Sequence, residues 1–281
     1  MPTRPAGRSS SPPTAIGYRW YLRVFHAADV VVFVLSPGRS HEVPEVHFGP
    51  VEEGILVVDR YAAYQAMAQV KDGTIVPAFC WAHVRRDFLA VARSWPDQEA
   101  WALGWIERIG GLYACNDRRP EAPRPGPLFT ERDQEVRRCV AAIARQREDE
   151  LAPAELHPAR RRVPESLREH WPGLTVFVDH PGVPMGNNTA ERPERGPVVG
   201  RKNYYGSGAV RSGRLAALLC SLFQTLALWK LNPRLWLTAY LTACAESGGQ
   251  VPACPEAWLP WNLPEEQRRA WSMGPPTEDS S

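Results

Sequence analysis

The sequence predicts a mixed α/β fold interrupted by a helical insertion. Strand-like apolar runs crowd its first third, a charged amphipathic stretch follows a proline-rich break at 117–128, and a short apolar run and a long apolar helix come late. Periodicity alone does not say which α/β fold this is.

Residues 1–16 (MPTRPAGRSSSPPTAI) read as a disordered tail and lack the apolar core of a signal peptide. Tyr18–Phe25 and Val30–Leu35 are aromatic or β-branched runs joined by His26-Ala27-Ala28-Asp29, a hairpin whose far end is closed by Pro37-Gly38. Gly54–Val58 is a third strand and runs straight into Asp59. Helical spacing over Tyr61–Val70, a turn at Lys71-Asp72-Gly73, a strand over Ile75–Cys80 and a helix over Ala82–Ser94 follow. Trp101–Tyr113 continues as helix, and Glu131–Leu151 is polar enough to be an arm or insertion rather than a core element. Leu174–Val178 (LTVFV) reads as a late strand. A turn-rich stretch at His180–Asn188 leads into a helix whose first turn holds Glu191, then a Gly/Arg-rich loop, then the apolar helix from Leu215. A Pro/Trp-rich tail from Pro252 is expected to wrap the surface. The implied organisation is a tail (1–16), a first α/β part (17–99), the insertion (100–170), a second α/β part (171–246) and a C-terminal tail (247–281).

Composition is that of a globular chain, 44% hydrophobic and 23% charged, which excludes wholesale disorder. The net charge of +2 advertises no nucleic-acid partner by itself, so any basic surface must come from local clustering. Of the 33 basic residues only Lys71, Lys202 and Lys230 are lysines; with 28 prolines, that bias fits GC-rich coding as well as phosphate recognition. Six cysteines without a CxxC pair point to a reducing, cytoplasmic setting. Leu215–Leu231, broken by Ser221, Gln224, Thr225 and Lys230, falls short of a membrane span and reads as a buried core helix.

Four places could carry chemistry. Asp59 stands at the C-terminal end of an apolar strand, where α/β proteins bind ligands, or else it starts the next helix as a cap. Cys80-Trp81-Ala82-His83 occupies a strand-to-helix junction; it lacks the second ligand pair of a structural zinc site, leaving His83 to orient water or phosphate, or to cap. Glu191 sits in a helical first turn, as a site carboxylate or as a group complementing the helix dipole. Between 192 and 214, Arg192, Arg195, Arg201, Lys202, Arg211 and Arg214 face only Glu194, with Tyr204 and Tyr205 interleaved. Such a stretch suits phosphate contact and base stacking, or is a solvated loop.

Taken together, GILVVDRYAAY, CWAHVRRDF and NNTAERPERGPVVGRKNYYGSG, followed by the apolar helix, resemble the insertion-sequence-66 family of bacterial transposases over about Tyr18 to Ala245. The resemblance implies an RNase H-like mixed sheet and DNA cleavage and strand transfer by a DDE carboxylate triad holding two Mg²⁺ (or Mn²⁺) ions. By motif position Asp59 is the second Asp and Glu191 the final Glu, both metal ligands, and His83 is a site residue. Arg192, Arg195, Arg201, Lys202, Asn203, Tyr204 and Arg211 are placed on DNA. Element ends and target DNA, a homo-oligomer and companion proteins of the same element are the implied partners; no membrane is. The family's first Asp should lie on a strand before Tyr18, yet no acidic residue precedes Asp29, which falls in the hairpin turn. Gly186 stands where an Asp usually precedes Asn-Asn. The expectation is therefore a catalytically incomplete chain lacking the first strand, through truncation or a mis-assigned start. The alternatives are a non-catalytic DNA-binding product of the element, or an unrelated α/β protein in which Asp59 and Glu191 only cap helices.

Overall fold

The computed structural model describes residues 20–119, 124, 126–204 and 209–273, so the tail at 1–16 lies outside the described residues. In chain order it runs β1 (Tyr21–His26), β2 (Val31–Ser36), α1 (Glu42–His47), β3 (Gly54–Val58), α2 (Ala62–Gln65), α3 (Ala68–Lys71), β4 (Ile75–Phe79), α4 (Trp81–Ser94), α5 (Glu99–Asp117), α6 (Pro127–Leu151), α7 (Pro158–Glu169), α8 (Trp171–Leu174), α9 (Val176–Asp179), α10 (Asn188–Tyr204), α11 (Val210–Leu228), α12 (Pro233–Glu246) and α13 (Glu265–Ala270). The chain divides into two compact units, 40–188 and the combination of 1–39 with 189–281.

The fold class is mixed α/β, mostly helical, but the described strands do not form one mixed sheet. β1 and β2 pair antiparallel, β3 and β4 pair parallel, and each pair stands as its own two-stranded sheet. The late strand over Leu174–Val178 is likewise absent: those residues belong to α8 and α9. Leu174, Phe177 and Val178 are buried at i, i+3 and i+4, the helical spacing, so this apolar run reports burial rather than an extended backbone. α8 begins at Trp171-Pro172 and lies so close to β4 that a Cβ on Gly173 would stand 2.9 Å from the Pro77 carbonyl oxygen.

In the 40–188 unit the core gathers on α4 and α5. Trp81, Val84, Phe88 and Val91 line one face of α4, and Ala102, Trp105, Ile109 and Leu112 line one face of α5. Phe88 and Trp105 stack with ring centroids 5.0 Å apart. α6 is no detached arm, because Val136 and Ile143 are buried in the same core. Its Glu150 also accepts hydrogen bonds from both Trp101 Nε1 (2.7 Å) and Trp105 Nε1 (2.8 Å). The helical span at 61–70 is two short helices, separated at the fully buried Met67.

Arg119, with no solvent exposure, ties the end of this unit together. Its guanidinium donates to Asp133 Oδ1 (3.0 Å), Asn116 Oδ1 (2.9 Å) and the carbonyls of Phe177 (2.6 Å) and Val178 (3.1 Å). Those carbonyls sit in α9, where helical C=O groups lack partners and a cation is favoured.

In the other unit, the hairpin's buried face presents Val31 and Phe33 to Ala217 of α11. Among the described residues the outer edge of β2 has no strand neighbour. Instead Thr225 Oγ1 accepts from the Val31 N–H (3.0 Å) and donates to its C=O (3.1 Å), while Ser221 Oγ accepts from the Phe33 N–H (2.8 Å). The apolar helix is thus one-sided rather than buried all round, with Leu215 and Leu218 54% and 63% exposed. The tail from Pro252 does more than wrap a surface: Leu263 is buried with Leu226, Leu231 and Trp236, and Trp258 and Trp271 pack against them. The stretch after Glu191 is helix through Tyr204 rather than loop, and Tyr205–Gly208 fall outside the described residues.

Burial pushes the Asp133 carboxyl up, but hydrogen bonds and charge from Arg137 and Arg119 pull it further down, leaving it below its ordinary value. The stability this gives is present above the unfolded carboxyl's titration near ~4 and disappears as pH falls through the lower folded value. Asp133→Asn should therefore flatten the acid limb of stability against pH, and Arg119→Leu should cost roughly 1–3 kcal/mol for each of the two buried carbonyls, Phe177 and Val178, that it leaves without a donor, while Arg137 keeps Asp133 paired. Urea titrations across the acid range check both.

Candidate active site

The parallel ladder sets the site. β3 and β4 are in register from Gly54↔Ile75 to Val58↔Phe79, and the Cys80 N–H donates to the Val58 carbonyl (3.0 Å), one step past the last pair. Asp59 and Cys80 therefore leave the sheet side by side at its C-terminal edge, the position at which open α/β sheets bind ligands.

Asp59 is half-buried, and its Oδ1 accepts from the Tyr61 N–H (3.1 Å), closing a turn before α2. It does not cap that helix: Tyr61 occupies the cap position, and no side chain bonds there. One carboxylate oxygen shapes the turn, and the other is left for a ligand.

Cys80 is the cap residue of α4 and fully buried. Burial pushes its thiol up, but the His83 side chain and the N–H groups of Asn187, His83 and Ala82 together outweigh that and leave it below its ordinary value. The Asn187 N–H donates to the thiol sulfur (3.1 Å), and the Trp81 N–H donates to the Met185 carbonyl (2.9 Å). Segments far apart in sequence, GILVVD, CWAH and MGNN, thus meet at one corner.

His83 projects from the first turn of α4, with the Arg86 guanidinium 3.1 Å from its Nε2. A guanidinium only donates, so Nε2 accepts and the ring hydrogen of the neutral form sits on Nδ1. Asp59 and His83 line the same cleft, of about 450 Å³, with Arg60, Tyr61 and Asp87. Another wall is α7, through Arg162, Val163 and Ser166, with His170 just past its end. Arg60 spans the cleft, forming an ion pair with Asp87 and donating to Ser166 Oγ (3.0 Å).

A divalent cation of the magnesium type needs several oxygen donors. In the cleft Asp59 offers one free carboxylate oxygen, while Asp87 is held by Arg60. Among the described residues no group of three His, Cys, Asp or Glu side chains could hold a metal. The described side chains do not by themselves make up a metal site.

Glu191 lies in the first turn of α10, and its side chain falls outside the described residues, as do those of Arg201, Lys202, Asn203 and Tyr204. Arg192, Arg195 and Arg211 are exposed. Asp29 stays in the β1–β2 turn, where its carbonyl accepts from Trp229 Nε1 (2.8 Å). Sequence reasoning missed the α7 wall and the Arg60–Asp87–Ser166 bridge. Arg60 and Asp87 sit inside the quoted motifs, but nothing in the pattern of α7 points to a cleft.

A family model described as "Transposase IS66 family" matches residues 7–215. Among curated proteins, the chain is 27% identical to the uncharacterized protein y4jD of Sinorhizobium fredii, over 86% of this chain and 47% of that one. It is 29% identical to the uncharacterized protein y4qI of the same organism, over 83% of this chain and 43% of that one. The chain therefore spans less than half the length of these relatives. No solved structure matches it.

The Arg60–Asp87 pair is only part-exposed, at 14% and 36%. Asp87→Ala should destabilise the protein by about 1–3 kcal/mol through the stranded guanidinium. Glu265→Ala, which breaks the fully solvated Glu265–Arg269 pair, should change stability by no more than about 0.5 kcal/mol. Paired chemical-denaturation curves check the contrast.

Proposed function

The chain belongs to the IS66 family of transposases, and on that footing we propose that the cleft at Asp59 is part of a site that cuts and rejoins DNA phosphodiesters. The observation that carries this reading is the emergence of Asp59 from the C-terminal end of a parallel strand into a cleft shared with His83. DDE transposases use divalent metals, which activate the attacking oxygen and stabilise the leaving one. Asp59 and Glu191 are the two carboxylates we assign to Mg²⁺ or Mn²⁺, with the segment 100–170 inserted between them in sequence. No reaction step is assigned to the metal, since the described donors do not complete its site.

The chain's own residues have separate tasks. Asp59 presents one carboxylate oxygen to the reacting centre while the Tyr61 N–H fixes the other. His83, bonded to Arg86 through Nε2, is assigned to the same site, where that nitrogen would orient a water or phosphate oxygen once Arg86 releases it. Arg192, Arg195, Arg201, Lys202 and Arg211 contact phosphates, and Asn203 and Tyr204 lie along the bound strand, Tyr204 by stacking. Holding two element ends calls for at least a dimer, with companion proteins of the element as further partners. No described helix is long and apolar enough to cross a membrane.

Nicking of supercoiled plasmid carrying the element ends tests this reading. Wild-type protein should nick slowly, as expected of an incomplete triad, in Mg²⁺ or Mn²⁺ and not in EDTA. Asp59→Asn and Glu191→Ala should each lower the rate by about 10³-fold or more while leaving DNA binding intact. Salt-dependent DNA binding with no metal-dependent nicking by the wild type would instead identify a non-catalytic DNA-binding protein.

A further inference from the structure

The helix that forms another wall of the cleft carries a pattern that the reading above does not use. On α7, Ala159, Val163 and Leu167 are buried in the core. Arg162 and Ser166, with His170 one residue past the end of the helix, recur at i, i+4 and i+8 on the side that lines the cleft together with Asp59. Four arginines lie on this helix, and three are committed elsewhere. Arg160 donates to Gln98 (2.6 Å), Arg161 donates to the Ala154 carbonyl (2.9 Å) and pairs with Glu165, and Arg168 pairs with Glu148. Arg162 is exposed and has no carboxylate partner among the described residues, and it is the one of the four that lines the cleft.

Ser166 and His170 are set up to complement it. Arg60 donates to Ser166 Oγ, so that oxygen acts as acceptor toward Arg60 and its hydroxyl hydrogen is free to be donated to a ligand. His170 Nδ1 lies 2.8 Å from the Ser166 carbonyl, which can only accept, so Nδ1 carries the hydrogen and Nε2 is left over. The ring stands edge-on to Phe79 at 5.3 Å, which fixes its orientation. Within the cleft Arg60 and Asp87 cancel, leaving the Asp59 carboxylate faced by one uncommitted guanidinium. An anion brought next to Asp59 needs such a cation, and a guanidinium fork matches two oxygens of a phosphate.

We propose that α7 is the phosphate-binding wall of the Asp59 cleft: Arg162 grips the non-bridging oxygens of a DNA phosphodiester, and the Ser166 hydroxyl donates to one of them. The proposal rests on the reading of Asp59 as a carboxylate that acts on DNA. It adds a DNA contact from the inserted segment, separate in sequence from the basic stretch of α10.

The test is equilibrium binding of the full chain to a short fluorescein-labelled DNA duplex in EDTA, by anisotropy over a range of salt concentrations, so that no metal or turnover enters. Arg162→Ala should weaken binding about tenfold at low salt and lower the slope of log K against log salt by about 1, the signature of one lost phosphate contact. Arg162→Lys should keep the slope and recover part of the affinity, whereas Arg161→Ala, on the same helix but off the cleft, should bind as wild type. A purely structural role for Arg162 would not move the salt slope, and the Lys variant supplies the comparison if the Ala variant folds poorly. Wild-type affinity and slope in Arg162→Ala would overturn the proposal. If that result came with nicking that still depends on Asp59, only the α7 contact would fall; if the wild-type chain bound no DNA at all, the proposal and the reading beneath it would fall together.

Discussion

The parallel pairing of β3 with β4 is the constraint on which the site depends. Two strands of five residues, ending level at Val58 and Phe79, put Asp59 and Cys80 next to each other, and a hydrogen bond from Cys80 to Val58 locks that arrangement one step beyond the ladder. From there the consequences are local. α4 starts at Cys80, so its first turn carries His83 to the cleft, and the following turn carries Asp87 to Arg60. The 186–187 segment docks on the Cys80 thiol, joining the end of this unit to its beginning. A one-residue slip would send every strand side chain to the opposite face and break this corner.

The hairpin unit solves a different problem. Two strands alone are marginal in water and expose unpaired backbone at their edges. α11 meets the β2 edge with hydroxyls one helical turn apart, Ser221 and Thr225, so side chains do the work of a neighbouring strand. Two of the polar residues that interrupt the apolar run, Ser221 and Thr225, are therefore contact points of α11 with the sheet, while Leu215 and Leu218 on that helix remain exposed.

Much of this was legible in the sequence, for identifiable reasons. The hairpin, β3 and β4 are short β-rich runs bounded by turn residues, and the structure places them within a few residues of their expected limits. Asp59 was readable because it sits directly after a strand, where a side chain has to emerge at the sheet's edge, and His83 because it lies in the first turn of the helix that follows β4. Leu174–Val178 misled because a short, fully apolar run is ambiguous between strand and buried helix; the 174, 177, 178 spacing held the answer. α6 looked like an arm because two buried positions, Val136 and Ile143, are few against its charged surface. The α7 wall had no signature at all. Arg162, Ser166 and His170 become a set only when tertiary packing turns that helix toward Asp59.

The proposed assignment of Asp59 to a divalent-metal site is the central claim, and iron-directed cleavage of the polypeptide tests it most directly. The full chain would be loaded with Fe²⁺ in place of Mg²⁺, treated with ascorbate and peroxide, and its fragments mapped by mass spectrometry. The account predicts backbone cuts clustered near residue 59, suppressed by excess Mg²⁺ and lost in Asp59→Asn. An absence of cuts near residue 59, or a diffuse pattern unchanged in Asp59→Asn, would contradict it.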